Sequence, residues 1–435
     1  MQPLSFARRP RTRASFALAV VLAALTAFLV AAGSGQRAQA AGSLTQVSNF
    51  GSNPGALQMY DYIPTTAEPN APLVIALHGC TQQASDYYND SGWPKYADLW
   101  GFDLVFPQQS AANNSLECFD WFTASADTRG NGEAASIIQM VQYMQAHYSI
   151  DASRIYVTGL SAGGGMTADL LADYPDVFAA GSVDSGIPAQ CATGGSTSAS
   201  PCQSGSVNKT VAQWAALATD SDPGYSGPWP RVAIWQGTSD YTVNPANATD
   251  LMDQWTGVWG ISQTPSSTAS LTGGTTESIY NDASGKPAVE MYMISGMGHG
   301  LAVNPGSATA QCGTTGAYFL NYICSTYYTA LFWGLNGSGS GSSSSASASA
   351  SPSASPSASP STSPTPSATP SSTWSAKCFT ESNYQQTVDG HAYQTGGYTY
   401  ADGSNQNMGL WNVFTVHTLE ETSSAYYVIA DSHCP

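Results

Sequence analysis

The sequence predicts an α/β architecture, with a mainly parallel, doubly wound sheet covered by helices on both faces. Three observations predict it. Short apolar runs of strand length alternate along the chain with segments at helical spacing, the pattern of strand–helix–strand units. A nucleophile-like Gly-Leu-Ser-Ala-Gly turn joins one such run to the next helix. The chain is 42% hydrophobic and 11% aromatic, which supplies a sizeable core and excludes disorder throughout.

Leu73–Leu77 is a first apolar run, closed by Gly79, and Leu104–Phe106 is a second. Glu133–His147 has helical spacing, with Ile137, Ile138, Val141 and Met144 on one face. Ile155–Thr158 reads as a strand, followed by a helix from about Ala162 to Leu171. Val177–Val183 is a further apolar segment, and Val232–Trp235 and Met291–Ile294 are buried-strand candidates. In such a sheet, function gathers at the carboxyl ends of the strands.

The 435 residues are enough for two or three domains. Met1–Ala40 reads as a secretion signal: four arginines, an apolar run from Phe16 to Ala32, and Ala38-Gln39-Ala40 as a small-x-small cleavage site. An uncleaved anchor is the competing reading, and Pro10 and Arg11 fit a twin-arginine motif poorly. No later stretch is apolar enough to span a bilayer. Gly337–Thr373 contains only Gly, Ser, Ala, Pro and Thr, so it has no core of its own and is expected to be a disordered spacer. It separates a large domain, residues 41–336, from a small one, residues 374–435.

Charged residues make up 9% of the chain, well under the usual quarter. Removing the first 40 residues leaves seven basic against 29 acidic residues, a net charge of −22. A chain this acidic repels phosphate backbones, which argues against a nucleic-acid partner. All eight cysteines follow the signal-like segment, and an even count in a secreted chain points to disulfides. Proximity suggests Cys80–Cys118, Cys191–Cys202, Cys312–Cys324 and Cys378–Cys434, each worth roughly 3 kcal/mol. A free buried thiol is the alternative for Cys80. The absence of Cys-x-x-Cys weighs against zinc.

Gly159-Leu160-Ser161-Ala162-Gly163 is a G-x-S-x-G turn between the strand Ile155–Thr158 and a helix start. There a serine is forced outward at the top of the sheet, and the helix dipole faces developing negative charge. The competing reading is an ordinary serine in a Gly-Ser turn. A serine hydroxyl needs a base, and the order expected of this turn is Ser, acid, His. His78 and His147 precede Ser161, while His391, His417 and His433 lie beyond the spacer, which leaves His299. Asp240, just after Val232–Trp235, is the favoured acid, with Asp184 as its rival. The expected oxyanion donors are the backbone N–H groups of Ala162 and of Cys80, with Gly79 allowing close approach. His78 is expected to orient that loop by hydrogen bonding. No metal or cofactor is required.

Leu77-His78-Gly79-Cys80-Thr81-Gln82, Cys118-Phe119-Asp120-Trp121-Phe122, Gly132-Glu133, the stretch from Arg154 to Met166, Gly237-Thr238-Ser239-Asp240 and Gly296-Met297-Gly298-His299 occur in this order. Together they resemble the secreted esterase family that includes poly(3-hydroxybutyrate) depolymerases and the related feruloyl and acetylxylan esterases. The resemblance spans roughly Gln58 to Leu335. It implies an α/β-hydrolase fold and serine carboxyl-esterase activity, with Ser161 as nucleophile, Asp240 as orienter and His299 as base. Asp184 does not match the family's acid position. Cys378 to Cys434 looks like a short C-terminal module found on some secreted polyester depolymerases, carried by Ser382-Asn383-Tyr384, Gly397-Tyr398-Thr399-Tyr400, Gly403–Leu410 and Tyr426–Ile429.

The reading is therefore an extracellular serine esterase of an aliphatic polyester, most simply poly(3-hydroxybutyrate). A feruloyl or acetylxylan esterase acting on plant cell walls is the alternative. The expected partner is an insoluble polyester or cell-wall polysaccharide surface, with no membrane after signal cleavage and a monomeric enzyme. The module's tyrosines, with Trp374 and Trp411, are expected either to grip that surface or to form the module's own core. Trp93, Trp121, Trp235, Trp255 and Trp259 are candidates for an acyl pocket, with core packing as the competing role.

Overall fold

The computed structural model describes residues 42–337, 377–395, 398–410 and 415–431. The signal-like segment, nearly all of the Ser/Pro/Ala spacer, Trp374, Trp411, His433 and Cys434 fall outside them.

A ten-stranded sheet organises the large domain. Its strands are β1 (Thr45–Val47), β2 (Gln58–Tyr62), β3 (Ala71–Leu77), β4 (Asp103–Gln108), β5 (Ile150–Leu160), β6 (Ala180–Asp184), β7 (Arg231–Gly237), β8 (Ser267–Leu271), β9 (Thr275–Asn281) and β10 (Pro287–Ile294). Their spatial order is β1-β2-β4-β3-β5-β6-β7-β10-β9-β8. From β4 through β10 neighbouring strands are parallel. The pairs at both edges are antiparallel. Each strand read from its apolar run is present, generally longer than the run itself.

Side chains alternate across the central strands, so one strand feeds two cores. Leu73, Ile75 and Leu77 of β3 face one apolar layer, together with Ile137 and Val141 of the helix Gly132–His147, Met166 and Leu170 of the helix Ala162–Asp173, and Trp255. Val74 and Ala76 face the other, with Tyr87, Trp93, Trp235, Tyr292 and Trp333. There Trp235 stacks on Tyr292 with ring centroids 3.8 Å apart, and its indole N–H donates to Thr329 Oγ1. Trp93, Trp235 and Trp255 are fully buried, so packing is their structural role. The Trp259 indole N–H is held by Pro230 O at 3.0 Å.

Three disulfides close short loops in this domain: Cys80–Cys118, Cys191–Cys202 and Cys312–Cys324. Cys378 is also disulfide-bonded, while Cys434 lies outside the described residues. No helix among the described residues is long and apolar enough to cross a membrane.

The C-terminal region forms two three-stranded antiparallel sheets and the helix Asn383–Val388. Ala392, Ala401, Met408, Leu419 and Tyr427 make its small core. Its tyrosines divide: Tyr427 is buried, whereas Tyr393 and Tyr426 are exposed, with Tyr393 stacked on Tyr400.

Three buried acids lie around the C-terminal half of the helix that follows the nucleophile turn. Asp127 ends the short helix Ala124–Asp127, and Asp169 and Asp173 sit one turn apart on Ala162–Asp173. The contacts that Asp127 makes with the Thr123 backbone and Asp173 with Ser221 are too weak to offset their burial. Burial above all pushes Asp127 up to about 7, with repulsion from Asp120 added; it pushes Asp173 up to about 8, with repulsion from Asp127, and Asp169 well above the usual range, with repulsion from Asp127 and Asp173. Between about pH 4 and 8 the folded chain holds protons that the unfolded chain has released, so stability falls as pH rises through that window. Tm is expected to drop from pH 5.5 to 8.5 by about 5 °C or more. An Asp173→Asn variant, which cannot ionise there, should show a shallower slope in differential scanning calorimetry. An unchanged slope would remove Asp173 from the account.

Candidate active site

Ser161 stands between the end of β5 and the helix Ala162–Asp173 with φ 58° and ψ −117°, a left-handed conformation that a serine adopts only under constraint. Its N–H donates to Asp184 O at 2.9 Å, which ties the turn to the end of β6. The turn demands glycine at its fifth position: a Cβ on Gly163 would lie 2.5 Å from His78 O and 2.6 Å from Leu77 O. The helix thus begins hard against the end of β3, whose loop carries Gly79 and Cys80. The position of a Cβ on Gly79 is 3.4 Å from the Ser161 Cβ, so this loop borders the serine.

His299 follows β10 and Asp240 follows β7, the strand paired with it. The two loops interlock. Thr238 N–H donates to Ile294 O and Ser239 N–H to Met297 O, each at 2.9 Å. A Cβ on Gly237 would lie 2.2 Å from Met297 O, so only glycine lets the histidine loop come this close. His299 Nδ1 is 2.8 Å from Asp240 Oδ2, and both side chains are buried. Asp240 Oδ1 accepts the N–H groups of Thr242 (2.9 Å) and Val243 (2.8 Å), and Oδ2 also accepts from Gln236 Nε2 (2.9 Å). A carboxylate holding this many donors is fixed in place against the imidazole.

The serine and histidine loops meet through Ser185. Its N–H donates to Trp235 O at 2.8 Å and its Oγ to Gly300 O at 3.1 Å, while the adjacent Asp184 carbonyl holds Ser161. Asp184 therefore serves through its main chain. Its carboxyl points elsewhere: Thr158 Oγ1 donates to Oδ2 at 2.9 Å, and burial pushes the group up to about 7. Of the two acids weighed from the sequence, Asp240 is the one against His299.

The N–H groups of Cys80 and Ala162 have no hydrogen-bond acceptor among the described residues, and both border Ser161. The Cys80 loop is fixed on several sides. Its disulfide reaches Cys118, Thr81 N–H donates to Leu116 O at 2.6 Å, and Gln82 Oε1 accepts Gly79 N–H at 2.8 Å. Gln82, Gln109, Ser185 and Gln236 were given no role from the sequence. A glutamine at the end of a strand carries no distinguishing local signal. Trp121 packs beside the serine helix, 2.7 Å from where a Gly165 Cβ would sit.

Among the described residues, Glu381, Asp389 and His391 are the only group with the spacing of metal ligands. They belong to the C-terminal region, and His391 Nδ1 is already 2.9 Å from Gln386 Oε1.

Residues 57–280 match the family described as Esterase PHB depolymerase. The chain is 51% identical over 296 residues to poly(3-hydroxyalkanoate) depolymerase C of Paucimonas lemoignei, covering 68% of this chain and 71% of that protein. It is 38% identical over 282 residues to feruloyl esterase B of Talaromyces stipitatus, covering 63% of this chain and 77% of that protein. Among solved structures it resembles the acetyl xylan esterase from Aspergillus awamori, with TM-score 0.55 and 33% identity over 59% of this chain and 94% of that one.

Proposed function

This chain belongs to the PHB-depolymerase esterase family, is a carboxylic-ester hydrolase of α/β-hydrolase fold, and we propose that it is a secreted serine esterase of an aliphatic polyester, poly(3-hydroxybutyrate) first among them. The observation that carries the substrate is the 51% identity to a poly(3-hydroxyalkanoate) depolymerase, against 34–38% for the feruloyl and acetylxylan esterases. Those relatives support the second reading, an esterase of plant cell-wall polysaccharide.

In this mechanism Ser161 Oγ attacks the ester carbonyl while His299 Nε2 takes its proton. Nδ1 is engaged with Asp240, so the other nitrogen is the one available, and the buried carboxylate stabilises the imidazolium. The tetrahedral oxyanion is met by the N–H groups of Cys80 and Ala162, fixed before substrate arrives. The imidazolium returns its proton to the leaving alcohol, and the acyl group stays on Ser161. A water activated by His299 then releases the acid. Removal of Met1–Ala40 on export accords with three disulfides in the large domain, which persist in an oxidising compartment.

The experiment is product analysis on poly(3-hydroxybutyrate), feruloylated arabinoxylan and acetylated xylan. Release of hydroxybutyrate oligomers without ferulate or acetate is expected. Ferulate or acetate release with an intact polyester would establish the second reading instead.

The C-terminal region is proposed to hold the enzyme on solid substrate, with Tyr393 and Tyr426 among its exposed aromatic faces. Anchoring raises local concentration without altering the catalytic step. Deleting residues 374–435 should cut film hydrolysis about tenfold or more and leave 4-nitrophenyl butyrate hydrolysis within about twofold. Equal losses on both would give the region a structural role.

A further inference from the structure

A second, smaller strand pair borders the catalytic histidine. β11 (Leu301–Val303) leaves the His299 loop directly and pairs in parallel with β12 (Phe319–Asn321), Leu301 opposite Phe319. The residues just before the two strands, Gly300 and Tyr318, are therefore neighbours. Leu301 N–H donates to Tyr318 O at 2.8 Å, and a Cβ on Gly300 would lie 2.6 Å from that same oxygen. The Cys312–Cys324 disulfide closes the loop that carries Tyr318.

Gly316 and Phe319 exchange both of their main-chain hydrogen bonds, each at 3.1 Å, so residues 316–319 form a tight turn with Tyr318 in its third position. Tyr318 has φ 66°. Glycine or asparagine suits that position, and a bulky side chain there is strained. The strain is held in place by Phe319, buried with its ring 6.0 Å from that of Tyr87, and by the bond from Leu301. An aromatic side chain kept on a backbone that disfavours it points to a use for the side chain.

That side chain is half-buried and spans the catalytic groups. Its ring meets the His299 imidazole edge to face, with centroids 6.2 Å apart and planes at 76°. Its hydroxyl lies against the side chain of Thr81, the residue after Cys80, whose own hydroxyl donates to Cys80 O at 2.6 Å. Tyr384 of the C-terminal region approaches the same tyrosine hydroxyl.

In acyl transfer the carbonyl oxygen turns to the oxyanion donors and the leaving oxygen to the imidazole that protonates it. The alcohol portion of the ester therefore departs past His299, along the wall that the Tyr318 ring supplies. In a polyester this alcohol is the next repeat unit of the chain, and an aromatic ring offers its carbon backbone a broad apolar face.

We propose that Tyr318 is a specificity-determining residue that walls the leaving-group side of the active site, favouring esters whose alcohol portion is an extended chain over esters of small alcohols. The proposal rests on the reading of Ser161 and His299 as nucleophile and base.

Two substrates share a butyryl group and differ in the alcohol: ethyl butyrate and ethyl 3-(butyryloxy)butanoate. Butyrate release is followed by chromatography for the full chain and for its Tyr318→Ala, Tyr318→Gly, Tyr318→Phe, Tyr384→Ala and Ser161→Ala variants. For all but the last, kcat is expressed per serine labelled by a fluorophosphonate. Alanine and glycine both remove the ring, and glycine also suits the left-handed turn, so the loop keeps its path in at least that variant.

Both ring-deleted variants should lose about 10- to 100-fold in kcat/KM on the extended ester, chiefly through KM, and less than about threefold on ethyl butyrate. Tyr318→Phe, which keeps the ring, should stay within about fivefold of wild type on both. The rank order of 4-nitrophenyl acetate, butyrate and hexanoate should be unchanged, because their alcohol is constant. Equal losses on the two butyryl esters in Tyr318→Gly, or a changed acyl-length order, overturns the proposal. So does a Tyr384→Ala variant that reproduces the ring-deleted pattern, since Tyr318 would then serve to seat the C-terminal region. Hydrolysis by Ser161→Ala at the wild-type rate removes the serine reading and this proposal with it. An inactive Ser161→Ala beside unselective Tyr318 variants removes this proposal alone.

Discussion

A Ser161→Ala enzyme is expected to lose ester hydrolysis by about 10⁴-fold or more while keeping its fold and its binding to polymer film. The loss is this large because the nucleophile, base and carboxylate act as one unit, and none substitutes for another. The fold should survive because the constraint at this position comes from the backbone. Ser161 is held at φ 58° by its N–H bond to Asp184 O and by the approach of Gly163 to the end of β3, neither of which uses the hydroxyl. The checks are kcat on 4-nitrophenyl butyrate, thermal unfolding, and film binding by depletion from solution. Residual hydrolysis within tenfold of wild type would refute the nucleophile assignment.

Asp240→Asn should lower kcat by about 10⁴-fold, and Asp184→Asn by less than about tenfold. Asp184 ends a buried strand, Asp240 follows one, and both are buried. Their surroundings differ. Asp240 lies 2.8 Å from His299 Nδ1 and is held by the main-chain N–H groups of Thr242 and Val243. An amide there can present its NH₂ to the imidazole and trap the wrong tautomer, so geometry is preserved while proton transfer fails. Asp184 offers its side chain to Thr158 and Ser182, and only its carbonyl to the serine turn. Comparable losses in the two variants would show that burial, rather than contact with His299, decides the effect.

The central strands were legible in the sequence for a physical reason. A parallel strand buried on both faces must be apolar nearly throughout, and Leu73–Leu77, Ile155–Thr158 and Val232–Trp235 are. The antiparallel margins were not. β8 is Ser267–Leu271, with four of its five residues exposed, and β1 has three residues, so neither carries an apolar signature. The histidine was reached by eliminating the other five. Asp240 could be preferred over Asp184 from its position, but its contact with His299 depends on the close approach of Gly237 to Met297, which no local pattern reveals. The short-range cysteine pairs within the large domain were readable because each closes a loop between neighbouring structural elements. The burial of Asp127, Asp169 and Asp173 leaves no local signature in the sequence. It follows from packing around the helix Ala162–Asp173. The hydrogen bonds that His78 makes with Gly79 O and Gln109 N–H, and Gln109 with Glu133, join β3, the end of β4 and the helix Gly132–His147, elements brought together only by the sheet order.

The most direct test is to trap the acyl group. The enzyme is mixed with 4-nitrophenyl butyrate, quenched in acid within milliseconds, digested and mapped by mass spectrometry. One butyryl group on the peptide carrying Ser161 is expected, forming at the rate of the 4-nitrophenol burst and absent from Ser161→Ala. A burst with the adduct on another residue, or steady hydrolysis by Ser161→Ala at the wild-type rate, would contradict the account.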